Sequence, residues 1–249
     1  MEKLATVIMA AGQGKRMRNP DKSKVMFELK GKPMIECVVD LALKIDSEII
    51  IPIVGHQKKA LMDFISTKFK KDMDCIKFAH QDEQLGTGHA LMQTHSILEL
   101  FEGDVLILSG DVPMLKVETV MKFLNFHYGN RFEASLISAN FENPFGYGRV
   151  IRKADGTFVE TVEEKDATDE QRKIKEINSG IYIVDSRYLF EALTTLKTDN
   201  AQGEYYLTDI FKYFRDKKLK IGAMPVDNNI EITGINTVEQ LEELEKLMD

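Results

Sequence analysis

No apolar run in this 249-residue sequence approaches the ~20 residues that a membrane-spanning helix needs, so the chain reads as one that neither crosses nor lies in a bilayer. Met1-Glu2-Lys3 leads straight into a short strand rather than into the apolar stretch of a signal peptide, which makes the cytoplasm the expected location. Cysteine is scarce: Cys37 and Cys75 are far apart, form no C-x-x-C pair and are expected as buried thiols without metal or redox work. The five histidines never fall at H-x-x-x-H spacing, which leaves a zinc site little support. With a net charge of -7 the chain lacks the broad basic face that binding a phosphate backbone requires, so nucleic acid is not an expected partner. A linker rich in Pro, Gly or Ser is missing, as is any internal repeat, and the length suits one large α/β domain or two modest ones.

Against that acidic background one stretch stands out. Thr6 to Val25, TVIMAAGQGKRMRNPDKSKV, begins as an apolar strand, passes through Ala10, Ala11, Gly12 and Gly14, and then carries Lys15, Arg16, Arg18, Lys22 and Lys24 against the single acid Asp21. Small residues let a backbone approach a ligand closely, and N–H groups leaving a strand can bond base edges or phosphate oxygens. The stretch is neither a P-loop, which needs G-x-x-x-x-G-K-[ST], nor a dinucleotide fingerprint, because Met17 stands where a third glycine would be. Either it holds a nucleoside polyphosphate or it is an ordinary strand-to-helix turn with solvated lysines.

The rest of the chain alternates. A helix is expected over Met34 to Lys44, with Pro33 near its first turn and Ile35, Val38, Val39 and Ala42 on one face. Glu48 to Val54 reads as a strand covered on both faces, Gln57 to Phe69 as a helix, Ile76 to Ala79 as a short strand, Gly88 to Phe101 as a helix and Asp104 to Leu108 as a fourth strand. Strands and helices in this order predict a Rossmann-like, doubly wound, mostly parallel sheet with ligands at the C-terminal strand ends. Beyond the helix near Lys116 to His127 the pattern becomes mixed. A strand is expected at Ala134 to Ala139, a hairpin around Asp155-Gly156, and a short exposed helix at Asp166 to Lys173 with Thr168 and Gln171 as a capping box. A buried strand over Gly180 to Val184, helices at Ser186 to Leu196 and Glu204 to Lys217, a strand at Lys220 to Val226 and a last helix from Thr237 to Met248 follow. The division is a nucleotide half over about 1–140, a mixed half over about 141–236 and a C-terminal helix over 237–249.

Two further stretches carry chemistry. In QDEQLGTGHA, Gln81 offers a donor and an acceptor that match one edge of a pyrimidine, and Gly86 and Thr87 close the site, unless Thr87 is only the cap of the next helix. In LSGDVP, Asp111 ends the fourth strand facing the cationic loop, either as an oxygen ligand for Mg²⁺ or as a turn-forming aspartate.

Taken together, AAGQGKRM, Lys24, EQLGTGHA, GDVP, GYGR, EEKDATDEQRKIKEINSGI, NAQGEYYLTD and GIN resemble the N-terminal uridylyltransferase domain of the bacterial bifunctional N-acetylglucosamine-1-phosphate uridylyltransferase/glucosamine-1-phosphate acetyltransferases. The resemblance runs from residue 4 to about 240 with the motifs in family order. It implies a nucleotidyltransferase fold of the GT-A-like kind with a mixed sugar-binding lobe, and transfer of UMP from UTP to N-acetylglucosamine 1-phosphate, giving a peptidoglycan precursor. The alternatives are another sugar 1-phosphate, such as glucose 1-phosphate, or a regulator that binds a sugar nucleotide without catalysis. On these positions the resemblance implies that Ala10, Ala11, Gly12, Gln81, Gly86 and Thr87 hold the uracil, and that Arg16 and Lys24 meet the phosphates. As cations of a surface loop, the latter two are expected to act on the triphosphate rather than on the fold. It further implies that Asp111 and Asn236 hold Mg²⁺, and that Gly148, Glu163, Asn178, Tyr206 and Thr208 line the sugar-phosphate pocket. Ser109 stands where a tyrosine is often found, and Lys22-Ser23 replaces the usual Leu-Pro before the lysine. The family continues into a β-helix carrying the acetyltransferase and trimer contacts, whereas this sequence stops about a dozen residues past Asn236. The expectation is therefore no acetyl transfer, and a monomer or weak oligomer rather than an obligate trimer. A separate possibility for Asn236 is that it merely caps the last helix.

Overall fold

The structure is a computed structural model that describes residues 3–19 and 21–247. The apolar runs form the strands. Leu4–Met9 (β1), Ile49–Val54 (β4), Ala79–His80 (β5) and Asp104–Ser109 (β6) lie parallel, with β1 between β6 and β4 and β5 outside β4. Between β1 and β4 come a two-stranded ribbon, Glu28–Leu29 (β2) and Lys32–Pro33 (β3), and the helix Met34–Lys44 (α1). The ribbon turns at Lys30 and Gly31, whose φ angles of 51° and 76° explain the Lys-Gly pair.

The remaining elements are Lys58–Lys68 (α2), Thr87–Met92 (α3), His95–Leu98 (α4), Val117–Asn130 (α5), Ala134–Asn140 (β7), Arg149–Arg152 (β8), Phe158–Val162 (β9) and Asp169–Arg172 (α6). Glu176–Asp185 (β10), Ser186–Thr194 (α7), Ile210–Asp216 (α8), Ile221–Val226 (β11) and Val238–Leu247 (α9) complete the described chain. One sheet takes in both halves, in the order β11-β7-β10-β6-β1-β4-β5, with the β8/β9 hairpin attached to β10. Along that order of seven, β10 alone runs against its neighbours, pairing antiparallel with β6 and β7. Its first residues therefore lie at the same edge as the last residues of β1, β4, β5, β6 and β7.

Strand alternation fills two cores. Leu4 and Ile8 of β1 and Leu106 and Leu108 of β6 pack on the side of α1, α2 and α5. Ala5 and Val7, with Val105 and Ile107, pack against α3, α7 and α8. A third, smaller cluster joins Met17 of the cationic loop to Leu29, Met34, Ile235, Leu241 and Leu244, so α9 fastens that loop from outside the sheet.

Several expectations need correction. The helix over 88–101 is two short helices, because Thr94 turns its hydroxyl onto Leu91 O at 2.7 Å, and Gln93 N–H and Thr94 N–H donate to Ala90 O and Leu91 O as the first helix closes. Residues 204–206 are not helical: Tyr205 N–H donates to Leu85 O and its carbonyl accepts from Gly88 N–H, both at 2.8 Å, which commits that backbone to another segment. The strand expected at 76–79 is Ala79–His80, with Ile76 forming an isolated bridge to Ile50. Cys37 and Cys75 are free but only half-buried. The capping box at Thr168 and Gln171 and the Asp155-Gly156 hairpin form as expected. No helix among the described residues is long and apolar enough to cross a membrane.

Candidate active site

The cationic loop leaves β1 where Ala10 N–H still donates to Ile53 O at 3.1 Å. Gly14 adopts φ +60°, and a Cβ there would stand 2.6 Å from Lys24 Cβ, so glycine is required for the loop to fold back on itself. A Cβ on Gly12 would meet no protein atom, which leaves the space above it to the cleft. Arg16 is exposed, Lys24 is half-buried, and the side chain of Lys15 lies outside what is described.

Lys24 is the centre of the site. Its ammonium donates to Asp111 Oδ2 and, at 2.8 Å, to Asn236 Oδ1, which also accepts from Arg16 Nη2 at 2.9 Å. Asp111 is held from its other oxygen by the Ser109 hydroxyl at 2.6 Å, and its backbone carbonyl accepts from Ile235 N–H at 2.9 Å. Residues 87 and 212 positions away from Lys24 in the chain thus converge on one cation. Burial on its own would raise the Asp111 carboxyl, but the Lys24 charge and hydrogen bond, with Ser109 in support, hold it below its ordinary value. Tyr147 reaches in from the loop before β8. Burial keeps its phenol above the usual range, against a bond to the Gly234 backbone, with the Asp111 charge beyond it.

Asn236 is not the cap of α9. Thr237 is: its hydroxyl accepts from Gln240 N–H at 3.2 Å, while Gln240 Oε1 accepts from Thr237 N–H at 3.2 Å. The Asn236 side chain is thereby left to face Lys24 and Arg16. The expectation that Lys24 serves no structural purpose also needs correction, since both it and Asp111 are 15% exposed and neutralise each other.

A cleft of about 300 Å³ opens beside this cluster, lined by Ala10, Ala11, Gly12, Lys24, Gln81, Gly86, Thr87 and Asp111, and also by Ser109, Gln84 and Glu204. The six residues that the resemblance assigns to the uracil therefore share one cavity with Lys24 and Asp111. Gln81 is placed by its N–H on Val54 O at 2.9 Å, and its Nε2 donates to Gly86 O at 3.0 Å. Thr87 is not a cap either. Gly86 takes that position, and the Thr87 hydroxyl accepts from Leu207 N–H at 3.0 Å.

The five sugar-pocket candidates form a second cluster, and none lines the first cleft. Thr208 donates its hydroxyl to Glu163 Oε1 at 3.0 Å, and a Cβ on Gly148 would lie 3.5 Å from Glu163 Oε2. Asn178 donates its N–H to Gly148 O at 2.9 Å and its side-chain Nδ2 to Tyr182 at 2.7 Å, and it accepts from Gly180 N–H at 3.1 Å. Tyr206 donates to Asp166 Oδ2 at 3.0 Å. Glu163 and Tyr206 open on a cavity of about 270 Å³ shared with Asp166, Asp199 and Asp209. Burial raises the Glu163 carboxyl, only partly offset by the Thr208 bond, with Asp209 and Asp166 adding to the rise. The sequence reading missed Ser109 as the holder of Asp111, and Tyr147. The serine stands in LSGDVP and the tyrosine in GYGR, so both were in plain view.

Two oxygen donors, one carboxylate and one amide, drawn onto a single cation make a set suited to a hard divalent ion. Among the described residues no three His, Cys, Asp or Glu side chains are arranged to hold a metal ion, so an ion on this donor pair must fill its shell with water or phosphate oxygens. A doubly wound sheet whose C-terminal edge carries a small-residue loop, clustered cations and this donor pair defines a protein of the phosphate-handling α/β class. The nucleotidyl transferase family profile matches residues 5–229, and the chain belongs to that family. It is 44% identical over 248 residues to the bifunctional protein GlmU of Geotalea daltonii, covering all of this chain and 53% of that protein. It is 38% identical to the GlmU protein of Streptococcus uberis, covering 97% of this chain and 51% of that one. The chain spans about half the length of the curated relatives it matches. A solved UDP-glucose pyrophosphorylase bound to UDP-glucose shares the fold, with a TM-score of 0.77 and 18% identity over all of this chain and 98% of that one.

Proposed function

We propose that this chain transfers UMP from UTP to N-acetylglucosamine 1-phosphate, with Mg²⁺, giving UDP-N-acetylglucosamine and pyrophosphate. The observation that carries the reading is the convergence of Arg16, Lys24, Asp111 and Asn236 beside a cleft lined by Ala10–Gly12 and Gln81. In the reaction a phosphate oxygen of the sugar 1-phosphate bonds to the α-phosphorus of UTP as the bond to the β-phosphate oxygen breaks. The nucleophile arrives as an anion, so no general base is needed and catalysis consists of positioning and charge neutralisation. Lys24 and Arg16 supply positive charge to the triphosphate. The backbone of Ala10, Ala11 and Gly12, with Gln81, Gly86 and Thr87, holds the base. Asp111 and Asn236 would hold Mg²⁺, which when bound supplies further positive charge to the reacting phosphates. On the acceptor side Glu163 takes hydrogen bonds from sugar hydroxyls or the amide N–H, and Gly148 leaves room beside it. Asn178 presents its remaining N–H and lone pair, while Tyr206 and Thr208 hold the wall. The reading takes the protein as cytoplasmic, acting as a monomer or weak oligomer.

Pyrophosphate release with UTP and each sugar phosphate tests this. The expected result is a higher kcat/KM for N-acetylglucosamine 1-phosphate than for glucose 1-phosphate, because polar groups built to meet an amide go unmet without it. Comparable values would sink the acceptor assignment, and no pyrophosphate with any sugar phosphate would sink catalysis.

A further inference from the structure

The side chain of Gln81 is held from one end only. Its Nε2 donates to Gly86 O at 3.0 Å and lies 3.2 Å from His89 Nδ1, which uses both amide hydrogens. The carbonyl oxygen, Oε1, is the end left for the cleft that Gln81 lines. His89 is itself fixed, stacked on Tyr205 with ring centroids 6.4 Å apart and flanked by Gln93 Nε2 at 3.2 Å from its Nε2. A neutral imidazole has one lone-pair nitrogen, so it can accept from only one of the two glutamines. Each glutamine also keeps a backbone acceptor, Gly86 O for Gln81 and His89 O for Gln93, both at 3.0 Å, and neither amide can turn over without its oxygen facing that carbonyl. With the lone pair on Nδ1, His89 accepts from Gln81.

We propose that His89 is a positioning residue which, with the Gly86 carbonyl, locks the Gln81 amide with its oxygen toward the cleft and thereby selects uracil over cytosine. Uracil presents an N3–H, which Oε1 accepts. Cytosine presents a lone pair at N3, which faces Oε1 without a proton between them, and a buried polar pair left unmet is a strong basis for rejection. The inference rests on the cleft being the UTP site.

The test is kcat/KM for UTP and for CTP at saturating sugar phosphate, in the wild type and in His89→Ala, His89→Asn and His89→Gln. The wild type is expected to favour UTP. His89→Ala loses the side-chain anchor, and its UTP:CTP ratio should fall about tenfold or more, the worth of one fixed hydrogen bond in a closed site. In His89→Asn, Oδ1 falls where Nδ1 was, so most of the ratio should return. His89→Gln, whose polar end reaches past that point, should behave like alanine and serves as the second variant if His89→Ala folds poorly. Equal loss of rate for both nucleotides with the ratio intact would make His89 a packing residue and overturn the proposal, as would a His89→Asn ratio no better than that of His89→Ala. Those outcomes leave the transferase reading standing. A wild type that uses UTP and CTP equally would overturn both the positioning role and the uridylyl specificity.

Discussion

Asn236 and Thr237 are neighbours in the chain and should fail in opposite ways. Thr237→Ala removes the hydroxyl that accepts Gln240 N–H, a cap interaction worth ~1 kcal/mol. In a chain of this length that is a drop of roughly 2–4 °C in Tm, with the magnesium dependence of pyrophosphate release unchanged. Asn236→Ala keeps its backbone N–H on Gln240 Oε1 at 2.7 Å, so the start of α9 is undisturbed. What it loses is the oxygen shared by Lys24 and Arg16. Lys24 retains Asp111, and Arg16 is exposed and can turn to water, so the stability cost should be under ~1 kcal/mol. The Mg²⁺ concentration for half-maximal rate, however, should rise by about tenfold, since one of two protein oxygens is gone. Scanning calorimetry and magnesium titrations on the two variants separate the roles. A Tm loss in Asn236→Ala equal to that of Thr237→Ala, with unchanged magnesium titration, would refute the reasoning.

Ser23 has φ −58° and ψ 138°, which proline can adopt, and its buried hydroxyl has no hydrogen-bond partner among the described residues; Ser23→Pro should stabilise by ~0.4–1 kcal/mol, and a lower Tm would show that the preceding backbone resists the ring. Lys24→Ala should cost about 1–3 kcal/mol besides most of the activity, because it strands the partly buried Asp111 carboxylate. Since the folded Asp111 pKa lies below its ordinary 3.8, the ion pair contributes fully above that value and is lost as pH falls through the lower folded one, so the Tm gap between wild type and Lys24→Ala should close in acid. Glu163 is raised, and its acceptor role needs the ionised form; the KM for the sugar phosphate should therefore climb as pH falls through a value above 4.5, and Glu163→Gln should flatten that limb.

The parts of this molecule that were legible in the sequence are those set by local periodicity. β1, β4 and β6 are apolar runs because both faces of the sheet are covered, and α1 begins and ends where its pattern does. The illegible parts are those where one segment is claimed by another. GEYYL looks like the start of a helix until Tyr205 is found paired with Leu85 and Gly88, and no propensity within the segment announces that. The same holds at the site. Asp111 and Asn236 could each be read as a ligand or as a local turn or cap residue, and only the placement of Lys24 between them, with Thr237 doing the capping, decides what their side chains face. Neither the half-burial of Lys24 nor the support from Ser109 follows from the loop's composition, because burial depends on what the sheet edge brings alongside.

The insertion of β10 between β6 and β7 bears on how this molecule can move. β10 bonds the nucleotide half along Tyr182–Asp185 and, across a shift of register between Asn178 and Tyr182, carries Asn178 of the second cluster, already paired to Ser138. The two clusters cannot open and shut like a pair of jaws without tearing main-chain hydrogen bonds along the middle of the sheet. Any closure over substrates is left to the segments that cross the edge without belonging to it, such as the loop bearing Tyr147. The scaffold is an anvil, and the adjustable parts are the loops laid over it.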